Sequence, residues 1–453
     1  MHFTEDDFMV DGFSTCPMRE VFSPAERARN WLLVESTVST SQGALAVIPP
    51  EAAKQIASAV SNLTIDDERM ARDYRSVGFP IVPLLNQMKE RIDSQSAHWV
   101  HFGLTTQDVV DTGLVLQIKA GVEILEMDLR GIIIALTEMA KDHRDTVMAA
   151  RTFQQFASPT TFGYKVAVWV DELIRHWERL YELKPRVFVG QLFGAVGTNA
   201  AGGPRAMEVQ ERALERLGLG VAETSWHSSR DRLAEMISWL ALVCSTLGKI
   251  AGEVSTLMRT EIGELREALT PGEGGSSAMP QKANPVLAPR IIALAQKMQE
   301  LTPSTYRAMM QEHERGVSAM PLEWLTVPEA FLMASGCFSQ SRQLVENLVV
   351  DVEQMERNLE CDYGVIMAEA VQIGLAGRIG REEAKNVVTK ALEKCRKDAI
   401  PFGDALGVVV SSDERVDDAY LAELCDPRNF LGHAGVMVDK QVGKVSRLFR
   451  GDA

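Results

Sequence analysis

The sequence predicts an all-α protein built around a long helical bundle, and three observations carry this prediction. First, apolar residues recur at helical spacing through most of the 453-residue chain. Second, four or five of these periodic segments run for more than about 20 residues, the length of bundle helices. Third, strand patterns are nearly absent, and the short stretch 186–190 is the best candidate.

The N-terminal part, residues 1–112, is predicted to be a compact domain of shorter helices. Ser23 and Pro24 supply the N-cap and the first-turn proline of a helix that reaches about residue 47. Residues 51–93 indicate two or three further helices, interrupted by a Gly-Phe-Pro sequence.

Residues 113–362 are predicted to form the central bundle. Its helices are expected after the polar turn at 98–108, after a second polar break at 151–161, and over 231–265, 286–310 and 323–359. Residues 363–453 are predicted to be a smaller helical domain, with helices over 382–396, 417–424 and 436–448.

Charge and composition exclude several classes of partner. The chain carries 62 acidic and 47 basic residues, a formal charge of -15, which argues against nucleic acid or an anionic membrane as the main partner. The six cysteines are scattered, without a CxxC pair or a metal-binding cluster. The acidic N-terminus lacks the apolar segment of a secretory signal, and no apolar run is expected to span a membrane. We therefore expect a cytoplasmic protein with reduced thiols.

Two predicted helices are apolar around most of their circumference. Over 231–265 and 286–310 the apolar residues cover wide arcs, which indicates helices buried on all sides. Bundles from several subunits packed together would bury them. We therefore predict a homo-oligomer.

The most informative polar break is the loop GSSAMPQKANP at 275–285, which follows Gly272. It combines glycines, prolines, hydroxyls, amides and Lys282 immediately before an apolar helix. Backbone N–H groups at the start of a helix, together with a lysine, favour binding of a carboxylate or phosphate. The alternative is a flexible connector.

Three polar breaks lie at the ends of long helices: residues 105–108, residues 152–161 and the Ser276 loop. A helix of 25–35 residues spans roughly 40–50 Å. Breaks at opposite ends of such helices cannot all meet in one subunit, but they can meet between antiparallel neighbours. The sequence thus predicts active sites shared between subunits.

The 275–285 loop resembles the GSSxMPxKxNP signature of the fumarase/aspartase superfamily. The segments 101–111 and 151–163 resemble that superfamily's first and second conserved regions, in the same order. The resemblance covers nearly the whole chain and implies a three-domain fumarase/aspartase-like fold, a homotetramer, and no metal or organic cofactor.

Within this superfamily, three stretches resemble the 3-carboxy-cis,cis-muconate cycloisomerases, also called lactonizing enzymes. They read MREVFS from Met18, WHSSRD from Trp226, and QEHER from Gln311 followed by EWL. Adenylosuccinate lyases share HFGLTT from His101 and PTTFG from Pro159 nearly as well. They are the nearest alternative.

The resemblance implies a lyase or cycloisomerase that acts on a succinyl-type di- or tricarboxylate. A base removes a proton beside a carboxylate, and a group leaves from the adjacent carbon. Ser276 matches the family's base, and its alkoxide would need backbone N–H groups and Lys282 for stabilisation. The expected substrate-binding residues are Thr105, Thr106, Gln107, Thr152, Gln155, Ser277, Met279 and Asn284.

Three positions depart from the pattern. Superfamily members that cleave C–N bonds carry histidine as general acid where this chain has Phe153. Phenylalanine cannot donate a proton, which disfavours an amine leaving group, and bacterial lactonizing enzymes also carry an aromatic residue here. Gln281 and Ala283 stand where His and Arg are usual, which leaves the substrate open.

Five further residues are candidates with structural alternatives. His101 is predicted either to act in catalysis or to be a structural histidine, and His313 is a second candidate acid. Arg230, Arg315 and Arg19 are predicted to bind substrate carboxylates, with an ion pair at a helix cap, an exposed helix end and a surface role as their alternatives.

Two last alternatives concern roles rather than folds. Asp108 and Asp111 are expected to cap helices rather than to act as acids. A catalytically silent relative is the alternative to an enzyme; the Ser276, Lys282 and Asn284 set argues against it.

Overall fold

The structure is a computed structural model that describes residues 8–268, 274–276, 278–411 and 413–449. The predicted site residue Ser277, and Gly272 at the start of the glycine-rich loop, lie outside the described residues.

Eighteen α-helices lie in the described part of the chain. In chain order they are α1 (Cys16–Val21), α2 (Pro24–Ala44), α3 (Pro50–Asn62), α4 (Asp67–Val77), α5 (Ile81–Lys89), α6 (Ser94–Ala97), α7 (Thr106–Asp142), α8 (Phe162–Val187), α9 (Ala206–Arg216), α10 (Asp231–Leu257), α11 (Leu287–Ala308), α12 (Ala319–Glu346), α13 (Val352–Glu360), α14 (Ala368–Ile379), α15 (Arg381–Asp398), α16 (Phe402–Val410), α17 (Asp418–Cys425) and α18 (Ala434–Leu448). The all-α prediction is confirmed.

Strands are short and pair in twos. They are β1 (Val147–Thr152), β2 (Gln155–Thr161), β3 (Val189–Gly190), β4 (Gly220–Val221), β5 (Leu265–Glu267) and β6 (Leu348–Val350). The pairs β1–β2 and β5–β6 are antiparallel, and β3–β4 is parallel. Of the predicted strand at 186–190, only β3 forms, because α8 continues to Val187.

Two predicted helices were too long. The helix predicted over 231–265 ends at Leu257, and the chain turns at Gly263, whose φ of 67° is in the left-handed region that favours glycine. The helix predicted over 323–359 ends at Glu346. The chain then forms β6 opposite β5, and α13 starts anew with the Asp351 carboxylate accepting the Gln354 N–H at 2.9 Å.

The chain forms two compact units. The first unit comprises Met1–Asp128, His176–Gly248 and Ala293–Ser339, and the second comprises Leu129–Arg175, Lys249–Ile292 and Gln340–Ala453. Each boundary falls inside a long helix. The three-domain division predicted from the sequence stays a prediction.

Each unit has its own hydrophobic cluster. In the first unit, Trp31, Ile56 and Met88 of the N-terminal helices pack with residues of α7 and α9. In the second unit, Val371 and Ala391 belong to a cluster that joins α14, α15 and α16. These clusters hold the N-terminal and C-terminal helices in place.

By length and composition alone, α10 could cross a membrane, which the sequence analysis did not expect. Its most apolar window is 67% buried inside the protein. Such burial is typical of a core helix in a soluble protein.

Candidate active site

The Ser276 loop is closed at its base by backbone pairing. Gly275 and Ala283 form an antiparallel bridge, and Asn284 donates its backbone N–H and its side-chain amide to the Gly274 oxygen, at 2.8 and 3.0 Å. This pairing brings Ser276 and Asn284, two predicted site residues, to the same end of the loop.

The Ser276 hydroxyl oxygen accepts two backbone N–H groups. The donors are Ala278 at 3.3 Å and Met279 at 3.0 Å. Two N–H dipoles aimed at one oxygen would stabilise negative charge on it. The loop therefore supplies the backbone N–H donors that would stabilise the alkoxide of a serine base.

Lys282 would supply the positive charge that such an alkoxide also needs. Its side chain is exposed, and no described carboxylate forms an ion pair with it. Its backbone N–H donates to the Met279 oxygen at 3.1 Å. The ammonium group is thus available for an anion.

The N-terminus of α11 is already occupied, contrary to the expectation that it holds a substrate anion. The buried Glu267 carboxylate, on β5, accepts the backbone N–H groups of Val286, Leu287 and Ala288 at 2.7, 3.0 and 2.9 Å. It satisfies the free donors and the dipole of this helix end. Glu267 therefore anchors the far side of the loop, and substrate binding must use the loop itself.

The second polar break is a β-hairpin whose tip carries two predicted site residues. Thr152 and Gln155 are paired across the strands β1 and β2. The two turn residues, Phe153 and Gln154, have φ of 47° and 61°, as a tight hairpin turn demands. The Phe153 side chain is fully exposed.

An ion pair fixes this hairpin. The Arg151 guanidinium donates to both oxygens of the buried Glu264, at 2.7 and 3.0 Å, and lies over the Phe156 ring. The Asn358 amide also donates to Glu264, at 2.7 Å. Paired Arg–carboxylate geometry is rigid, so Arg151 sets the direction of the hairpin.

In the first unit, Asp108 holds the start of α7, as expected of a capping residue. Its carboxylate accepts the Thr105 N–H at 3.0 Å and the N–H groups of Phe193 and Gly194 at 3.0 and 2.9 Å. It also pairs with His227 Nε2 at 2.8 Å. Asp108 is completely buried, and both of its carboxylate oxygens are hydrogen-bonded within the protein.

Arg230 is a structural residue in this structure rather than an open carboxylate binder. It is buried between Asp111, at 2.6 and 3.0 Å, and Glu323, at 2.9 Å. Its remaining donor contacts include the Trp226 oxygen at 3.4 Å. No guanidinium hydrogen remains for a substrate. Asp111 accepts hydrogen bonds from Arg230 instead of capping a helix, as had been expected.

Burial and charge pairing both change the pKa values of Glu323 and Arg230. Burial raises the pKa of Glu323, and the Arg230 charge only partly offsets it. Burial also disfavours the Arg230 cation, but Asp111 and Glu323 outweigh it and raise the pKa of Arg230. The guanidinium therefore stays charged.

Gln107 and Arg315, two predicted binding residues, contact each other directly. Arg315 Nε donates to the Gln107 Oε1 at 2.6 Å, and Arg315 Nη2 donates to the Ala195 oxygen at 3.1 Å. The Gln107 amide nitrogen donates to Asp111 at 3.1 Å and to the His227 oxygen at 2.9 Å. All polar atoms of Gln107 are thus used, whereas Arg315 keeps free donors.

His101 is held by a buried carboxylate. Its Nδ1 lies 2.5 Å from Glu35 Oε1, and Glu35 is 1% exposed. Burial disfavours the imidazolium, but the hydrogen bond and charge of Glu35, with the charge of Asp108, raise the pKa of His101 above 6.5. This arrangement leaves Nε2 for another partner and favours the protonated, acidic form.

The remaining predicted residues lie at the surface of the first unit. Thr105 and Thr106, at the start of α7, are half-buried, and His313 is exposed with φ of 54°. Arg19 pairs with Asp11 at 2.6 Å and donates to the Ser14 oxygen at 3.1 Å. Neither His313 nor Arg19 forms a hydrogen bond or ion pair with another of the predicted site residues that the structure describes.

Buried acids that were not predicted from the sequence hold these residues in position. Glu35, Glu264, Glu267 and Glu323 each hold a site residue or a site segment. One signal was available, since Glu35 stands within the apolar pattern of α2. In the described ranges, no three His, Cys, Asp or Glu side chains are grouped to hold a metal ion.

Comparison with known proteins places the chain in a family. The lyase family profile matches residues 17–299, and the profile for the adenylosuccinate lyase C-terminus matches residues 364–441. A 3-carboxy-cis,cis-muconate cycloisomerase of Pseudomonas aeruginosa is 38% identical over 439 residues, 95% of this chain and 95% of the relative. An N-acetyl-S-(2-succino)cysteine lyase of Enterococcus italicus is 34% identical over 97% of this chain and 96% of the relative.

The fold agrees along the whole chain. The crystal structure of the 3-carboxy-cis,cis-muconate lactonizing enzyme from Pseudomonas putida matches with a TM-score of 0.92 and 36% identity, covering 97% of this chain and 99% of that one. The resemblance predicted from the Ser276 loop is confirmed. The chain belongs to the fumarase/aspartase superfamily of lyases and cycloisomerases.

Proposed function

We propose that the protein is a cofactor-independent cycloisomerase or lyase acting on a succinyl-type di- or tricarboxylate, most like 3-carboxy-cis,cis-muconate. The observation that carries the proposal is the Ser276 hydroxyl, whose oxygen accepts the N–H groups of Ala278 and Met279. A serine in this setting can serve as the base of the superfamily's reaction. Its full-length relatives include enzymes named for that substrate.

In the eliminating direction, the Ser276 alkoxide takes a proton from the carbon beside a substrate carboxylate. The electron pair moves into that carboxylate as an aci-carboxylate dianion, and then forms the double bond as the leaving group departs from the adjacent carbon. In the cyclising direction a carboxylate oxygen of the substrate adds to that carbon, and Ser276 returns the proton. The dianion needs cations close by.

Lys282 and Arg315 are proposed to provide these cations. Lys282 has no ion-pair partner in the described part of the chain, and Arg315 uses two nitrogen atoms on protein oxygens and keeps its other donors. Asn284, Thr106 and Thr152 are proposed to add hydrogen bonds. Gln107 is reassigned from substrate binding to positioning Arg315.

His101 is proposed as the acid, in place of the absent histidine at position 153. Its raised pKa favours the proton-carrying form. A site shared between subunits is proposed, because polar breaks at opposite ends of long helices cannot all meet in one subunit.

The leaving group is proposed to be one that departs with little acid help, because Phe153 cannot donate a proton and His101 is the one acid proposed. A carboxylate oxygen meets this condition, and so does a thiolate, whereas an amine does not. Phe153 therefore supports the cycloisomerase and also a second candidate, a lyase that cleaves an S-succinyl thioether. The Enterococcus italicus relative carries the name of such a lyase.

A cytoplasmic homotetramer with three-domain subunits is proposed. Exposed apolar side chains on the long helices support the assembly: Met127 on α7 is 63% exposed, Leu242 on α10 is 50%, and Leu325 on α12 is 62%. Large exposed apolar groups on bundle helices favour burial against another copy.

The test is a set of ultraviolet absorbance assays on the purified protein. The substrates are 3-carboxy-cis,cis-muconate, an S-succinyl thiol, adenylosuccinate and argininosuccinate. We expect turnover of the carboxymuconate, with the thioether second and no turnover of the two amines. Turnover of an amine substrate alone would refute the leaving-group assignment. No turnover here or in a wider dicarboxylate screen would support the silent relative.

A further inference from the structure

A mostly apolar cavity lies in the first unit, and none of the residues assigned to the chemistry above line it. It has a volume of about 300 Å³, and its lining includes Arg27, Trp31, Tyr74, Gln117 and Trp324. This volume is at the lower end of the range for small-molecule pockets. Its walls combine one cation with three aromatic rings.

The Arg27 guanidinium forms no ion pair or hydrogen bond with any residue that the structure describes. Burial lowers the pKa of its guanidinium, and no described carboxylate acts to raise it. In contrast Arg29, two residues later on α2, is 73% exposed and pairs with Glu26. A half-buried cation with no partner among the described residues is less stable than one that an anion binds.

Two tryptophans, Trp31 and Trp324, form walls of the cavity that suit a flat group. Trp31 lies one turn after Arg27 on α2 and is 8% exposed. Gly113 on α7 makes room for it, since a Cβ there would lie 2.7 Å from the indole Cδ1. A side chain at position 113 would therefore displace this wall, and Trp31 and Trp324 present aromatic surface to the cavity.

One further polar group is available. The Gln117 side chain is buried, and its amide nitrogen donates to the Val21 oxygen at 2.7 Å. Its amide oxygen has no partner among the described residues. The cavity is thus lined by the Arg27 guanidinium, by aromatic side chains and by one acceptor on Gln117.

We propose that this cavity binds a small carboxylate with a planar, aromatic or conjugated body, with the carboxylate on Arg27 and the ring against Trp31 and Trp324. Guanidinium binds carboxylate through two parallel hydrogen bonds, and indole stacks on flat rings. The site is separate from the proposed catalytic residues and does not depend on their function.

The experiment is isothermal titration of the full chain with benzoate, benzamide and cyclohexanecarboxylate. We expect benzoate to bind. Benzamide, which lacks the charge, should bind with an affinity lower by about tenfold or more. Cyclohexanecarboxylate, which lacks the flat ring, should also bind more weakly than benzoate. Arg27→Gln should weaken benzoate binding by about tenfold or more, whereas the control Arg29→Gln on the same helix should leave it unchanged.

Four results would overturn the proposal. The first is no measurable binding of benzoate at about 10 mM, near the weak limit of specific sites. The second is equal benzoate affinity in Arg27→Gln and wild type. The third is loss of binding in Lys282→Gln, which would move the benzoate to the catalytic residues. The fourth is a lower mass of Arg27→Gln by light scattering, which would mean that a neighbouring subunit neutralises Arg27. We expect Arg27→Gln to melt no lower than wild type.

Discussion

The Arg151 guanidinium is bound by both carboxylate oxygens of Glu264, a residue 113 positions later that is completely buried. Three residues beyond Glu264, Glu267 caps the helix that follows the Ser276 loop. One short strand, β5, and the residue before it thus fix two of the three polar breaks of the chain. The positions of Thr152 and Ser276 depend on these two acids.

Replacing Glu264 by Gln should destabilise the protein by about 2–3 kcal/mol, because it removes the charge that pairs with a mostly buried Arg151. Turnover should also fall, since the hairpin that carries Thr152 loses its anchor. The free energy of unfolding in urea and kcat/KM measure the two effects. The control is Glu353→Gln, an 87% exposed residue 3.6 Å from Arg357, which should change stability by no more than about 0.5 kcal/mol. Equal effects of the two substitutions would contradict this role of Glu264.

Replacing Arg230 by Met should cost about 3–5 kcal/mol of unfolding free energy, because it leaves Asp111 and Glu323 buried without their cation. The matched control is Arg232→Met at the start of α10, two residues later, where the side chain is half-buried and donates to the Arg186 oxygen. Urea denaturation measures both. A large rise in KM for Arg230→Met, without loss of stability, would restore Arg230 as a substrate-binding residue.

Replacing Phe153 by Asn should stabilise the protein by about 1 kcal/mol. Phe153 has φ of 47°, a left-handed conformation that costs a bulky residue about 1–2 kcal/mol and that Asn tolerates. Its ring is fully exposed in the single chain, so no packing is lost there. Thermal unfolding should show a higher Tm. A lower Tm would mean that the ring is buried against another subunit.

The His101–Glu35 pair predicts a pH dependence of stability. The pKa of His101 is raised above 6.5, so the folded state holds this proton more tightly than the unfolded state. The stabilisation is fully present below about pH 6.5 and is lost as the pH rises through the folded pKa. His101→Gln should remove this loss. Burial lowers the pKa of His143, so its contribution has the opposite sign and remains in both proteins. Parallel stability curves for wild type and His101→Gln above pH 6.5 would contradict the pair.

Much of the fold was predictable because periodicity and caps act locally. Ser23 caps α2 as predicted, accepting the Glu26 N–H at 3.1 Å. The errors concern strands. The β1–β2 hairpin lies where only a polar break at 151–161 was expected, and β5 and β6, three residues each, pair over a long sequence separation. Pairing between distant segments produces no local pattern in the sequence. The apolar residues near Leu265 and Leu348 were therefore assigned to the preceding helices, which were predicted to be too long.

The site residues stay predictions, and composition picks out candidates more readily than it identifies their partners. Ser276 and Lys282 lie in a loop whose composition is unusual, so the sequence singled them out. Arg230 looked like a carboxylate binder, but Glu323 lies 93 residues later in the chain and occupies it. The same applies to Glu267, which takes the helix end expected to hold substrate. Charge pairing over long separations decides which polar groups remain free.

The most direct measurement of the central claim is the turnover of Ser276→Ala, together with deuterium incorporation from D2O at the carbon beside the substrate carboxylate. With carboxymuconate, wild type should turn over and incorporate deuterium at that carbon. Ser276→Ala should keep its circular dichroism spectrum and lose about 1,000-fold or more in kcat/KM, within the contribution of a general base. Ser411→Ala, an exposed serine in the same unit, should behave as wild type. Retained turnover and deuterium incorporation in Ser276→Ala would show that Ser276 is not the base.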